Sequence, residues 1–500
     1  MVATEPRGRL RIPRRRWWDV ALLAALLAAT FVAAAPAQAA QPGVVQTSAD
    51  PYTSANAPTG THATEVEPDT FAWGSTMVST FQVGRVFNGG ATDIGWATSA
   101  NGGVSWTHGF LPVTSREAMQ PGAFFSVSDP SVAYDARDRV WIISWLGAHF
   151  SGGGIVDVLV SRSTDGGLTW GAPVTVAATG VFYDKNWTAC DNTPSSPFYG
   201  HCYTEFDNAS AGDLELMSTS ADGGLTWGAP TPTADNAHGL GGQPVVQPNG
   251  RVVVPYEGLS GASGIRSFSS DDGGVTWNAS VRISTRTSHP VPGVRTSPLP
   301  SAEINRSGTV YVVWQDRRFE PGGAANDIVL STSSDGSTWS PVSRIPLDPI
   351  GSNIDHFIPG LAVDSVSAGG NTALALTYYI EQPAGCVGLT CEIQPAFSSS
   401  LDNGRTWTAP ETLSDPMQLG WIVRTTQGAM VGDYISTSFL AGQQRVLNGF
   451  AIGFAPTPDG PLNEPMFSAL EKVRPGTNSM RHDPVEVTST DAELATPTTF

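Results

Sequence analysis

Six times along the chain a serine is followed by Asp or Asn, one or two glycines, a hydroxyl residue and a tryptophan. The copies are Ser99-Ala-Asn101-Gly-Gly-Val-Ser-Trp106, Ser163-Thr-Asp165-Gly-Gly-Leu-Thr-Trp170, Ser220-Ala-Asp222-Gly-Gly-Leu-Thr-Trp227, Ser270-Asp-Asp272-Gly-Gly-Val-Thr-Trp277, Ser333-Ser-Asp335-Gly-Ser-Thr-Trp339 and Ser400-Leu-Asp402-Asn-Gly-Arg-Thr-Trp407. Their tryptophans are spaced by 64, 57, 50, 62 and 68 residues. A unit repeated at such intervals is one supersecondary element that buries its apolar faces only against its neighbours. The chemistry of each copy is that of a turn. Gly supplies positive φ for a tight hairpin. The Asp and Ser side chains accept the amide hydrogens that the turn leaves unpaired. The tryptophan then opens the next strand and is expected to bury its ring between sheets. Calcium binding by these aspartates is the rival reading, and each hairpin offers only one or two ligand oxygens where a calcium loop gathers several.

Between the copies lie short β-branched or aromatic runs bounded by turn residues, such as Val140–Trp145, Val156–Val160, Val252–Val254 and Val310–Trp314. They read as strands. The composition agrees: 54 Gly, 38 Pro and only 14% charged residues suit many strands and tight turns better than helices.

The pattern Ser-x-Asp-x-Gly-x-x-Trp resembles the Asp box of bacterial sialidases and related secreted repeat proteins. The stretches Asp93-Ile-Gly-Trp-Ala-Thr-Ser99, Arg295-Thr-Ser-Pro-Leu-Pro-Ser-Ala-Glu303 and Val431-Gly-Asp-Tyr-Ile-Ser436 are similar to a group of sialidase-like secreted bacterial propellers. The resemblance implies an all-β fold: a single β-propeller with Asp-box repeats. Seven blades are favoured, because Met430–Phe439, Val446–Phe454 and Pro465–Leu470 supply most of a blade after the last box. Six blades are the alternative. The expected organisation is a signal peptide over 1–39, a segment over 40–66 that could supply the closing strand, the propeller over 67–475 and a loose tail over 476–500.

The leader reading rests on a basic stretch ending at Arg16, an apolar run from Val20 to Ala35 and the Ala37-Gln38-Ala39 cleavage pattern. A membrane anchor is the alternative, and the apolar run is short for one. Secretion suits the cysteines, which fall as two near pairs, Cys190 with Cys202 and Cys386 with Cys391, read as disulfides. Zinc is the alternative there, but no histidines complete a tetrahedral set. The formal charge of −18 argues against nucleic acid or an anionic membrane as partner. The expected state is a monomer without cofactor or metal, with an extracellular glycan as partner.

In a propeller the boxes lie on one face. The opposite face carries the segments leading into each first strand and the loops between second and third strands. Those segments include Ser128-Asp129-Pro130, Asp184-Lys185-Asn186-Trp187, Arg295, Asp355-His356 and Asp433-Tyr434; the loops add His149, Glu205, Asp207, Glu257, Asp316, Arg317, Arg318 and Glu320. Paired carboxylates suit the acid and base work of glycoside hydrolysis, and Arg suits an acidic sugar. Tyr434, Asp433, Asp355 and Glu257 are therefore the candidate catalytic residues, and Arg295, Arg317, Asp316, His356, Asp184 and Lys185 the candidate substrate-binding ones. The sialidase resemblance implies a tyrosine nucleophile paired with a glutamate, a role for which Tyr434 stands in the right topological place. Glu257, Glu303 and Glu205 compete for the glutamate. It also implies three arginines around the sugar carboxylate, the first in a Phe/Tyr-Arg-Ile-Pro motif. Here Arg11-Ile12-Pro13 falls in the leader, and Arg85 lacks that context. The function implied is an exo-α-sialidase-like glycoside hydrolase, with a non-catalytic carbohydrate- or protein-binding propeller as the alternative.

Overall fold

The computed structural model describes Met1 and residues 43–479 apart from 260–262, 289 and 459. The expected leader, 1–39, lies outside the described residues beyond Met1, as does the tail after Ser479. Regular structure among the described residues is all β, interrupted only by four short 3-10 turns.

The strands form antiparallel groups in chain order. Group one is Thr61–Trp73, Thr76–Arg85, Ala91–Ser99 and Thr107–Phe110. Group two is Ser126–Asp135, Val140–Ala148, Val156–Ser163 and Val174–Ala177, joined to group one only through the pair Ala91–Val127. Group three runs Tyr183–Cys190, Cys202–Asn208, Leu214–Ser220 and Thr231–Pro232. In group four Gly239–Leu240 and Val245–Val246 both pair with Val252–Gly258, followed by Gly264–Ser270 and Val281–Ser284. Group five is Ser301–Ile304, Val310–Asp316, Asp327–Ser333 and Ser343–Arg344. Group six is Asp355–Val363, Leu374–Glu381, Glu392–Ser400 and Glu411–Thr412. Group seven is Ser436–Leu440, Arg445–Ala451 and Met466–Lys472, and its fourth strand comes from the other end of the chain, Val44–Gln46, with Val45 opposite Ser468. Asn478–Ser479 pairs with Thr406–Trp407, so the segment expected to be loose from 476 begins with a bridge to the sixth repeat.

The first strand of each group touches the first strand of the next, and that of group seven touches that of group one. The core sits between adjacent groups. One apolar cluster joins Val140, Ile142 and Val158 of group two to Tyr183 and Phe206 of group three. Another joins Val253 and Ile265 of group four to Val312 and Trp314 of group five. This is why strands such as Val310–Asp316 are buried at every position, having no solvent face to fill with polar residues.

The Asp boxes act as the sequence analysis expects of turns. In the second copy, Asp165 Oδ1 accepts the Leu168 and Thr169 amides at 3.1 and 3.0 Å, and Oδ2 accepts the Thr169 hydroxyl at 2.6 Å. Ser163 Oγ accepts the Gly167 amide at 3.0 Å. The carboxylate is thus occupied by its own turn. The glycine whose amide donates to the box serine is packed against a preceding group: a Cβ at Gly167 would lie 2.6 Å from Val78, one at Gly336 2.4 Å from Val253, and one at Gly103 2.6 Å from Leu447 of group seven. The tryptophans depart from expectation. Trp277 and Trp407 are buried, whereas Trp106, Trp170, Trp227 and Trp339 are half-buried while packing against the apolar clusters.

Disulfides join Cys190 to Cys202 and Cys386 to Cys391.

Candidate functional site

Four first strands share a device. The pairing slips between Val66 and Asp69, Ser128 and Ser131, Asp184 and Trp187, and Phe357 and Gly360. Within each slip one non-glycine residue has positive φ: Glu67 at 60°, Asp129 at 48°, Lys185 at 52° and Ile358 at 50°. Glu67, Asp129 and Ile358 each precede a proline, a position that ordinarily favours extended backbone. Bulges of this kind re-aim side chains, and such backbone strain concentrates at functional positions.

The bulges bring distant charges together. Lys185 Nζ lies 3.4 Å from Asp129 Oδ2 and 3.8 Å from Glu67 Oε1, and it donates to Asp433 Oδ2. Arg295 clasps the same carboxylate from the other side, through Nε to Oδ1 at 2.5 Å and Nη2 to Oδ2. The Asp433 amide donates to Glu67 Oε1 at 3.3 Å. Gln82 donates to Glu67 and, at 3.1 Å, to Ser128. Tyr434 is buried edge-to-face against Trp187, with ring centroids 5.0 Å apart, and its hydroxyl donates to the Pro130 carbonyl at 3.0 Å.

Burial and charge push the members apart in proton affinity. Burial, reinforced by Asp129 and Asp433, lifts Glu67 to about 8. For Asp433 burial works in the same direction, but Arg295 and Lys185 outweigh it and hold the carboxyl far below the usual range. Burial opposes the charge of Lys185, and the carboxylates of Asp129, Asp433 and Glu67 overcome it. Arg295 likewise stays charged beside Asp433. Burial lifts Asp184 to about 6 against the pull of Lys185. Burial, with Glu67 and Asp129 nearby, raises the Tyr434 phenol well above its ordinary value. Arg85 is buried too; it donates to the Gly90 carbonyl and feels Arg295 as a like charge.

Of the residues singled out from sequence, Asp184, Lys185, Arg295, Asp433 and Tyr434 meet here. The others keep company of their own. Glu257 is ion-paired with Arg286. Asp316 is held by Arg318 through Nε at 2.9 Å and Nη2 at 2.7 Å, while Arg317 is exposed and packs over Gly323. Asp355 accepts the Asn326 amide at 2.7 Å and Nδ2 at 2.9 Å, fixing the start of its strand. His356 Nδ1 lies 3.1 Å from the Asn326 carbonyl. Asp327, Asp348 and His356 bring one ligand atom each within 4.8 Å of one another, a spacing a metal could use. Arg344 already supplies the positive charge there, 2.7 Å from Asp327 and bonded to Asp348.

Neither Glu67 nor Asp129 is among the catalytic or substrate-binding candidates read from the sequence. The signal was present as an acid-proline dipeptide at the same point of two first strands, Glu67-Pro68 and Asp129-Pro130. Nor does the working space lie only where the sequence suggested. A cavity of about 880 Å3 is lined by first strands of every group and by first turns such as Trp73-Gly74. Gly102 of the first Asp box donates to Ser75 beside that turn, so this mouth is on the face that carries the boxes.

Residues 141–359 match the BNR repeat-like domain family. A sialidase of Micromonospora viridifaciens is 26% identical over 292 residues, covering 50% of this chain and 40% of that protein. A sialidase of Bacteroides fragilis strain YCH46 is 26% identical over 161 residues, 27% of this chain and 28% of that one. The chain thus spans less than half the length of these relatives. Among solved structures, a Dyadobacter fermentans protein of unknown function superposes with a TM-score of 0.46 at 15% identity, covering 87% of this chain and all of the other. The repeats and these matches support a likeness to the sialidase-like, BNR-repeat family.

Proposed function

We propose that this chain is an exported, monomeric, sialidase-like glycoside hydrolase acting on extracellular glycans, built as one seven-bladed propeller closed by Val44–Gln46. The ring reading is supported by the unbroken succession of first-strand contacts and by Gly103 of the first box packing on Leu447 of the last group. Export is supported by the leader pattern and by the two disulfides.

One observation carries the catalytic reading: Glu67 is tuned to hold a proton near neutral pH while Asp433, bonded to it through the backbone, stays ionised. Carboxyls driven apart in this way take opposite roles in acid and base chemistry. In this reading Glu67 gives its proton to the leaving glycosidic oxygen as the anomeric C–O bond breaks, while Tyr434 attacks the anomeric carbon and passes its phenol proton to Asp129, whose charge acts on it. Water, deprotonated by the Glu67 carboxylate, then releases the sugar as the proton returns from Asp129 to Tyr434. Arg295 and Lys185, aligned by Asp433, hold an acidic group of the sugar. Arg295 is the more exposed of the two cations, at 15% of its side chain against 9%, so an incoming anion meets it first.

The second reading is a non-catalytic binding propeller. It is favoured by the fact that both cations are already paired within the chain and the Tyr434 hydroxyl is engaged by Pro130. A fluorogenic sialoside and a panel of other aryl glycosides separate the two. Turnover lost in Tyr434→Phe and Glu67→Gln, with folding intact, is the outcome expected. A flat panel, with glycan-array binding that survives both substitutions, gives the binding reading.

A further inference from the structure

The cavity on the box face meets the charged cluster only at Trp187, which lines it and packs on Tyr434. Its lining includes none of Glu67, Asp433, Arg295 or Tyr434. Its volume of about 880 Å3 falls within the roughly 300–1,000 Å3 of small-molecule sites.

Three features define what would fit. At the mouth stands Trp73, the last residue of its strand, 42% exposed, its indole supported by the Tyr134 ring at 5.3 Å. The braced ring presents a flat aromatic face to the cavity on which a sugar ring could stack. Deeper in, Asp69 and Glu303 project from first strands of groups one and five and feel each other electrostatically. Asp69 spends its carboxylate on the Thr70 and Val132 amides, both at 2.7 Å. Burial, with Asp69 nearby, lifts Glu303 to about 8, which leaves it a neutral hydroxyl donor at neutral pH. Lastly, Arg306 is the one cation among the described lining residues, and it is exposed, so none of them gives a negatively charged sugar a buried counter-charge.

We propose that this mouth is a second binding site, for an uncharged oligosaccharide that stacks one ring on Trp73 and accepts a hydrogen bond from Glu303. The site stands independently of the hydrolase reading, since it uses none of the same residues.

Calorimetric titration with cellotriose, maltotriose and triacetylchitotriose, with 3′-sialyllactose as the anionic comparison, tests it. At least one neutral trisaccharide is expected to bind at sub-millimolar concentration and to change tryptophan fluorescence. Trp73→Ala should weaken that binding about tenfold, with Trp73→Tyr restoring most of it. Glu67→Gln should abolish sialoside turnover and leave trisaccharide binding in place, so the two readings fail separately. Absence of binding by every neutral trisaccharide, binding indifferent to Trp73→Ala in a folded protein, or tighter binding of 3′-sialyllactose would each overturn the proposal.

Discussion

Asp433 is the hinge of the charged cluster, because one carboxylate answers two buried cations. Asp433→Asn keeps the shape and removes the charge, leaving Lys185 and Arg295 with Asp129, Glu67 and Asp184 as the remaining acids around them. Breaking a buried pair from one side costs about 3–5 kcal/mol. Urea unfolding of Asp433→Asn is therefore expected to show a loss near the lower end of that range, since Asp129 and Glu67 remain. A loss below about 1 kcal/mol would mean that the ion pair is solvated rather than buried. Asp433, Lys185, Arg295 and Tyr434 were legible in the sequence as polar residues just ahead of apolar first strands. Glu67 was not, because it lies inside a 13-residue strand and acquires its partners only through a bulge. Glu257 and Asp316 were legible as loop acids, but sequence could not say that Arg286 and Arg318 neutralise them locally.

At the scale of the element, the Asp box separates two demands on glycine. Gly166 and Gly167 have φ of 87° and 81°, so an alanine at either pays the left-handed cost of about 1–2 kcal/mol. Only Gly167 is also crowded: its Cβ would lie 2.6 Å from Val78 of the neighbouring group and 3.0 Å from Thr98, while nothing stands within 4 Å at Gly166. Overpacking adds about 1–3 kcal/mol. Gly166→Ala should thus lower stability by about 1 kcal/mol and Gly167→Ala by about 3 kcal/mol in chemical denaturation. Equal losses would show that the box does not grip its neighbour. The box was legible because its hydrogen bonds are local, between residues two to four apart. The fate of its tryptophan was not, because the depth of each ring depends on which side chains the adjacent group brings to the same edge. Trp407 is sealed by the Asn478–Ser479 bridge, a contact 71 residues away along the chain.

The whole molecule has two opposed sets of carboxyls, and their balance sets its response to pH. Glu65 and Glu303 are pushed up to about 8, and Asp69 and Asp93 to about 7, in each case chiefly by burial. In the fold these groups keep their protons past the pH, about 4, at which the unfolded chain releases them. Their contribution is therefore complete below about pH 4 and is lost as pH rises through 7 to 8. The box aspartates behave in the reverse sense. Backbone hydrogen bonds from Thr338 and Ser337 hold Asp335 near 2, and at Asp165 the bonds from Thr169 and Ser163 outweigh burial to the same end. Their contribution is present above about pH 4 and fades as pH falls toward 2. Stability should then peak at about pH 4–5, where the box carboxylates are ionised and the buried acids are still neutral in the fold. Calorimetric unfolding is expected to give a Tm several degrees higher at mildly acidic than at mildly alkaline pH. Glu65→Gln should flatten that alkaline decline without touching the acid limb, because an amide in the place of a carboxyl that binds Ser48 and the Met466 amide cannot ionise. A Tm that rises from mildly acidic to alkaline pH would show that water reaches these carboxyls, and that the interfaces between groups are looser than their apolar packing indicates.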